Sequence, residues 1–397
     1  MASAVIITVL GFFFWVVVAR FYTETEVGYS SAIISAVGLL ALLGLVGLDS
    51  SLIRFLPQAE KPQELINSSF TLTSLISLVI AGIFVVGVEF WSPALVFIKG
   101  DAIYSAFFII ITPLWALSYL IDHTFVAKRR ASFALSKNII FSAFKIPLPI
   151  LFVLFFHSFG VVASWGIALS IALAVSLLLF LPKVQNPYKP VPTLNLSPIK
   201  GMWRYSGGNY LASLFIAAPT MVLPIMVINL LGPTQNAYFY IAWMMAALLF
   251  TIPLSVSHSL FAEGSHFNNK LRKNVTKSIK FTFLLLVPAA ILLILVGKWL
   301  LLAFGQSYSA NGLMLLRILI ISSLPLGINF IYTSILRVTH RIKELVTIWG
   351  FIAIAVLVAS YLVVPSIGII GIGYIWLGVH SVVAIYVVSS LKLGLRT

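Results

Sequence analysis

The chain has 397 residues, of which 61% are apolar, 13% aromatic and only 9% charged. A soluble domain carries about 25% charged residues, so this composition excludes an ordinary soluble enzyme, a disordered chain and a fibrous protein, and points to an integral membrane protein. The net charge of +15 does not imply a nucleic-acid partner, because the basic residues sit in short gaps between apolar runs rather than on one polar face.

Twelve apolar runs follow one another, each long enough to cross a bilayer as a helix. The first six are roughly Ala2–Ala19, Tyr29–Leu48, Phe70–Val88, Ile103–Ile121, Ile139–Phe156 and Val161–Leu181. The next six are roughly Leu211–Leu231, Ala237–Val256, Phe281–Leu302, Leu313–Leu336, Leu345–Val364 and Ile369–Leu391. No soluble domain fits between them. A polar stretch rich in Pro and Lys bisects the chain and gives three parts: a six-helix bundle over 1–181, a cytoplasmic linker over 182–201 and a second six-helix bundle over 202–397. The fold class expected is an all-α polytopic membrane protein.

Lys and Arg set the orientation. Twenty of them fall in alternate gaps and the tail: Arg54 and Lys61; Lys128, Arg129, Arg130 and Lys137; Lys183, Lys189, Lys200 and Arg204; Lys270, Arg272, Lys273, Lys277 and Lys280; Arg337, Arg341 and Lys343; Lys392 and Arg396. The opposite side has Arg20, Lys99 and Lys298. Both termini are therefore expected in the cytoplasm of a multi-pass protein of the cell membrane. The first span disagrees locally, with no basic residue before it and Arg20 just after it. The missing basic n-region argues against a cleaved signal peptide. With no cysteine, disulfides, thiolate metal sites and catalytic thiols are excluded.

A shift of 208 lays Ser158-Phe-Gly-Val-Val-Ala on Ser366-Ile-Gly-Ile-Ile-Gly. A shift of 209 lays Tyr29 on Tyr238, Ser50 on Ser259 and Lys61 on Lys270. Sparse identities at a consistent shift favour duplication. Six spans per half make the repeat parallel, as in alternating-access transporters. Eight prolines fall inside the expected spans. Most read as packing kinks. The doubled pairs, Pro219 with Pro224 and Pro147 with Pro149, are the hinge candidates.

An ionisable group inside the bilayer is a functional hypothesis by default. Lys145 lies seven residues into the fifth span, about 9 Å deep at 1.5 Å per residue. Arg317 lies five residues into the tenth. Each has a bland alternative, snorkelling to the headgroups. Arg20 is either an interfacial anchor or a cavity-rim cation. Asp49 and Asp122 close the second and fourth spans, and His258 takes the repeat position of Asp49. They read either as interfacial caps or as a proton or sodium coupling site. His380, midway through the last span, reads as a packing histidine. A cavity lined by Lys145, Arg317 and Arg20 suits an anion, above all a phosphate. Catalytic motifs and a resident cofactor or metal site are not found. Asn67-Ser-Ser and Asn274-Val-Thr match the glycosylation pattern on the cytoplasmic side, where chance explains them.

Val18-Ala-Arg-Phe-Tyr-Thr-Glu-Thr-Glu-Val-Gly-Tyr resembles the signature that follows the first helix of polysaccharide-biosynthesis flippases. Gly47-Leu-Asp-Ser-Ser-Leu-Ile-Arg-Phe-Leu-Pro resembles the end of their second helix, and the entries to the sixth and twelfth spans are also similar. These proteins belong to the multidrug/oligosaccharidyl-lipid/polysaccharide exporter superfamily. The resemblance implies two six-helix bundles around a central cavity. It also implies translocation of a polyprenyl-(pyro)phosphate-linked oligosaccharide from the cytoplasmic to the outer leaflet. Arg20 matches the family's cavity-facing arginine; Lys145 and Arg317 rest on depth alone. The short basic segment that opens many members is not matched. The expected partners are the lipid-linked glycan, membrane lipids and other polysaccharide-assembly proteins. The alternatives are a drug or cation antiporter of the same superfamily, which should carry deep carboxylates, and a membrane glycosyltransferase or polymerase, which should carry a sizeable external loop.

Overall fold

Hydrocarbon offers no water to a peptide group, so a chain that crosses it must close its backbone hydrogen bonds internally. Helix is accordingly the only regular structure among the described residues. The computed structural model describes residues 2–197, 199–200, 202–266 and 271–394. Lys270 and Arg396, counted among the topological cations, lie outside them. The main helices are α1 (Ala2–Phe21), α2 (Glu24–Leu45), α3 (Leu48–Phe55), α4 (Pro62–Val86), α5 (Ala102–Ala127), α6 (Ala131–Lys145) and α7 (Leu148–Val175). They continue with α8 (Trp203–Leu231), α9 (Pro233–His266), α10 (Leu271–Leu302), α11 (Gln306–Val338), α12 (Ile342–Ile367) and α13 (Ile369–Gly394). Among the described residues, eleven helical segments are long and apolar enough to span a membrane, and α1 adds a shorter apolar stretch, Ile7–Phe21.

Local chemistry sets the boundaries. Thr23 and Glu26 form a capping box that starts α2: Glu26 N donates to Thr23 Oγ1 at 3.3 Å and Thr23 N donates to the Glu26 carboxylate at 2.8 Å. Asp101 caps α5 by accepting from the amides of Ile103 and Tyr104. Pro147 and Pro149, expected within the fifth span, instead mark its break. Lys145 ends α6, Pro147 caps α7, and the Pro149 carbonyl accepts from Tyr22 Oη at 2.8 Å. Burial, with the Glu26 charge behind it, raises the Tyr22 pKa to about 12. The helical stretch of α7 also folds back on itself. A Cβ on Gly160 would lie 3.2 Å from the Phe152 carbonyl oxygen, whereas eight residues of straight helix cover about 12 Å. The two apolar spans here are thus Ala131–Leu154 and Phe159–Val184.

The second expected span breaks too. Val46 (φ 49°) and Gly47 (φ 82°) both adopt the left-handed conformation between α2 and α3. The Leu42 and Leu43 carbonyls lie in the last turn of α2 before the break, and Tyr210 Oη of α8 donates to both, at 3.3 and 3.0 Å. Ser51 and Ser206 share a hydrogen bond one turn further on. Gly47 is needed twice over, because a Cβ there would sit 3.1 Å from the Tyr210 Cβ. At the corresponding repeat position, α9 runs unbroken, so the halves differ here.

The segment between α7 and α8 is docked rather than loose. Asn67 Nδ2 donates to the Lys189 carbonyl at 2.9 Å, the Thr193 amide donates to Thr71 Oγ1 at 3.0 Å, the Asn195 amide donates to Ser68 Oγ at 3.4 Å, and the Asn195 side chain donates to the Glu64 carboxylate. Residues 64, 67, 68 and 71 are spaced by three and four, so they lie on one face of α4. Tyr188 is buried beneath this strap, and burial raises its pKa.

The chain divides into two compact units, one of residues 21–229 and one of residues 1–20 with 230–397. In this division α1 goes with the later helices, and most of α8 goes with the earlier ones. The first unit is held by α2, α4, α5 and α7, with a core that includes Phe108, Leu120 and Phe125. The second is centred on α11, which packs on α9, α10 and α13.

Two outcomes test these local arguments. Gly47→Ala forces a side chain into the left-handed region, at about 1–2 kcal/mol, so the thermal midpoint of the detergent-solubilised protein should fall; an unchanged midpoint would show that the break is not constrained. Replacing Asn67 and Thr71 together with Ala should release the strap, seen as faster proteolytic cleavage between Lys189 and Asn195.

Candidate functional site

A polar group enters a membrane helix only if its neighbours satisfy it, and the unit of residues 21–229 meets this condition on one face of α6. Lys137, Phe141 and Lys145 are four residues apart and so share that face. Lys137 was expected in the gap after the fourth span. The helix starts at Ala131, however, which places Lys137 two turns inside it with a side chain only 1% exposed. Its ammonium donates to the Asp122 carboxylate at 2.7 Å, to Ser118 Oγ at 2.7 Å and to the Ser118 carbonyl at 2.9 Å. These three acceptors use the three N–H bonds of an ammonium group, and both partners come from α5. Asn138 adds a longer contact to Asp122 at 3.4 Å.

Lys145 is buried two turns along the same face. Its ammonium lies over the Phe141 ring, 4.6 Å from the centroid. Phe141 meets Trp165 edge-on at 5.8 Å, and Trp165 stacks on Trp115 at 3.5 Å. The face thus presents two ammonium groups, one carboxylate and an aromatic wall. Its charge is net positive even with Asp122 ionised.

The other expected residues are distributed between the units. Asp49 opens α3, where one carboxylate oxygen is buried without a hydrogen-bond partner. Pro219 and Pro224 are both buried inside the unbroken α8. In the second unit, Arg20 does not stand free. Its Nε donates to the Ala303 carbonyl at 2.7 Å and its Nη2 to the Leu302 carbonyl at 2.9 Å, which completes the C-terminal end of α10. Arg317 is exposed on α11, on a stripe with Met314 and Ile321. His258 is exposed on α9.

The second unit also holds a buried polar cluster that depth arguments had assigned to packing. His380 is fully buried on α13, 4.4 Å from the Trp376 ring. Its Nδ1 meets Asn329 Nδ2 at 3.1 Å, and its carbonyl accepts from the same nitrogen at 3.1 Å. His380 Nε2 and Asn329 Oδ1 are buried without partners. Thr333, one turn on, accepts from Trp349 Nε1 at 2.8 Å.

A family model described as "Polysaccharide biosynthesis protein" matches residues 17–311. The chain belongs to that family. No curated protein sequence matches it, but solved structures share its fold. An inward-facing multidrug resistance MATE transporter of the MOP superfamily is 14% identical with a TM-score of 0.74, over 98% of this chain and 94% of that one. The lipid II flippase MurJ in an inward closed conformation is 17% identical with a TM-score of 0.75, over 98% and 87%. A MOP superfamily transporter from Pyrococcus furiosus is 13% identical with a TM-score of 0.69, over 99% and 94%. This family member therefore has the MOP transporter fold and is a multi-pass integral membrane protein.

The Lys137–Asp122 pair predicts an asymmetry in stability. Removing one partner of a buried pair costs about 3–5 kcal/mol, while a matched apolar replacement of both is near neutral. Asp122→Asn should therefore lower the thermal midpoint more than the double variant Asp122→Leu/Lys137→Met, although the 27% exposure of Asp122 moderates the single loss. Equal losses would mean that the pair contributes nothing specific.

Proposed function

We propose that this family member is a flippase that moves a polyprenyl-(pyro)phosphate-linked oligosaccharide from the cytoplasmic to the outer leaflet by alternating access, with both chain termini in the cytoplasm. The observation that carries this reading is the net-positive face of α6. A pyrophosphate that leaves water for a site about 30 Å of hydrocarbon thick must exchange its hydration for fixed cations. Lys145 supplies a point charge in a dry, aromatic-walled setting. Within its own unit, the exposed Arg317 carries a guanidinium able to bind phosphate bidentately. Family membership and the fold shared with MurJ and MATE proteins support the transport class. The acidic content supports an anionic cargo over a cationic drug, because Asp122 is already neutralised by Lys137. No catalytic chemistry is assigned to the chain, and its partners are the lipid-linked glycan and the proteins that build and extend it.

Asp122 is also the group best placed to couple transport to protons. Its protonation would take away the charged acceptor of Lys137 and leave that ammonium with the two Ser118 oxygens alone. Pro219 and Pro224 fit the role of hinge in α8, where each removes one backbone hydrogen bond.

In vesicles loaded with a fluorescent polyprenyl-pyrophosphate glycan, Lys145→Ala should slow flipping by about tenfold or more, a loss of about 1.4 kcal/mol in the barrier. Lys145→Arg should retain part of the rate. Near-normal flipping in Lys145→Ala would make the lysine a snorkelling anchor. A chain that expelled cationic dyes and left the glycan lipid in place would overturn the flippase reading in favour of an antiporter.

A further inference from the structure

Helix α10 is longer than a bilayer requires. Its 32 residues extend about 48 Å at 1.5 Å per residue, and about 20 residues cross the hydrocarbon. The apolar run from Phe281 to Leu302 is sufficient alone. The turns before it, Arg272 to Lys280, project into the headgroup layer. They carry Arg272, Lys273, Lys277 and Lys280, all exposed.

These cations, with Thr276, Phe281 and Leu284, line a groove of about 930 Å³. Among the described residues that line it there is no carboxylate. The Thr276 hydroxyl between them donates to the Arg272 carbonyl. Directly below, the same stripe turns apolar and outward: Leu284 is 69% exposed, Ile291 54% and Leu295 63%. The spacing 273, 277, 280, 284, 291, 295 keeps the charged and apolar parts in line along the helix. Cations at headgroup depth above a bare aliphatic track match a molecule with an anionic head and hydrocarbon tails.

We propose that the Arg272–Lys280 face of α10 is a binding site for anionic phospholipids of the surrounding membrane. The headgroup phosphate sits among Lys273, Lys277 and Lys280, and the acyl chains follow the stripe through Leu284 and Ile291. The four cations thus do more than set orientation, which requires charge on one side of the membrane but no geometry. Each Lys or Arg near an anionic surface contributes about 1 kcal/mol of attraction, and a groove that gathers several selects for lipid charge. The site lies apart from the α6 face, and it stands whether or not that face carries the cargo.

The chain has no native cysteine, so a single Leu284→Cys substitution can carry a bimane label at the tail side of the groove. The labelled full-length protein is reconstituted in phosphatidylcholine vesicles that contain brominated phosphatidylglycerol or brominated phosphatidylcholine, and quenching is followed against mole fraction. Half-maximal quenching should need about tenfold less of the anionic lipid, and added salt should narrow the gap. The triple variant Lys273→Gln/Lys277→Gln/Lys280→Gln should quench alike with both lipids, whereas the triple Arg variant should keep the preference. Equal quenching by the two lipids in the unsubstituted groove would overturn the proposal. So would a preference that survives the Gln variant, or one that inorganic phosphate abolishes while chloride of equal ionic strength does not.

Discussion

In hydrocarbon no polar atom can turn to water, and three departures of this chain from an unbroken apolar helix show the same consequence. Where α2 breaks at Val46 and Gly47, the Leu42 and Leu43 carbonyls receive the Tyr210 hydroxyl. Where α10 ends, Arg20 supplies the donors. Where Lys137 enters a span, Asp122 and Ser118 take all three of its protons. The cost of an unmet buried group, about 1–3 kcal/mol and more if charged, makes these partners obligatory, and each ties together helices distant in sequence. Within each unit, polar satisfaction therefore fixes which helices must be neighbours, and apolar packing fills in around them.

The same constraint separates structural charge from charge available for work. Lys137 has a full set of acceptors and serves α5–α6 docking. Arg20 is committed to two carbonyls. Lys145 lies buried over the Phe141 ring, 4.6 Å from its centroid. Position on one helix face joins these roles.

How much of this was legible in the sequence depended on which physical signal carried it. Hydropathy reports the apolar runs directly, so the all-helical membrane architecture and the family motifs could be read from residues alone. Helix ends could not. Lys137 follows Lys128, Arg129 and Arg130, and a cluster of cations reads as a loop; only the start of α6 at Ala131 moves Lys137 inside. Its pairing with Asp122, fifteen residues earlier, was hidden because antiparallel neighbours meet at no fixed spacing. Pro147 and Pro149 gave a correct signal with an ambiguous meaning, since proline marks a kink and a helix start alike. The stretch Lys189–Asn195 looked like free linker because its bonds to Glu64, Asn67, Ser68 and Thr71 are long-range. Asn67-Ser-Ser shows how a motif dissolves in context: the Asn67 amide is occupied by the Lys189 carbonyl.

Some buried polar atoms among the described residues stand outside this rule. Asp49 keeps one buried oxygen without a partner next to the broken end of α2, and His380 Nε2 and Asn329 Oδ1 remain unmatched in the core around α11. A sequence selected only for stability would fill such sites with apolar side chains, because an incompletely satisfied polar group is worse than none. Their placement is also asymmetric. The Asp49 position in the first half corresponds to exposed His258 in the second, and the second half keeps its buried histidine on the last helix instead. Positions matched by the sequence shift thus differ in their buried polar groups. Each unit therefore has its own electrostatic character: two lysines on one face of α6 beside an acid of α5 in the first, and a buried imidazole–amide pair on α11 and α13 in the second. A transporter that used both units in the same way would have had reason to keep them alike.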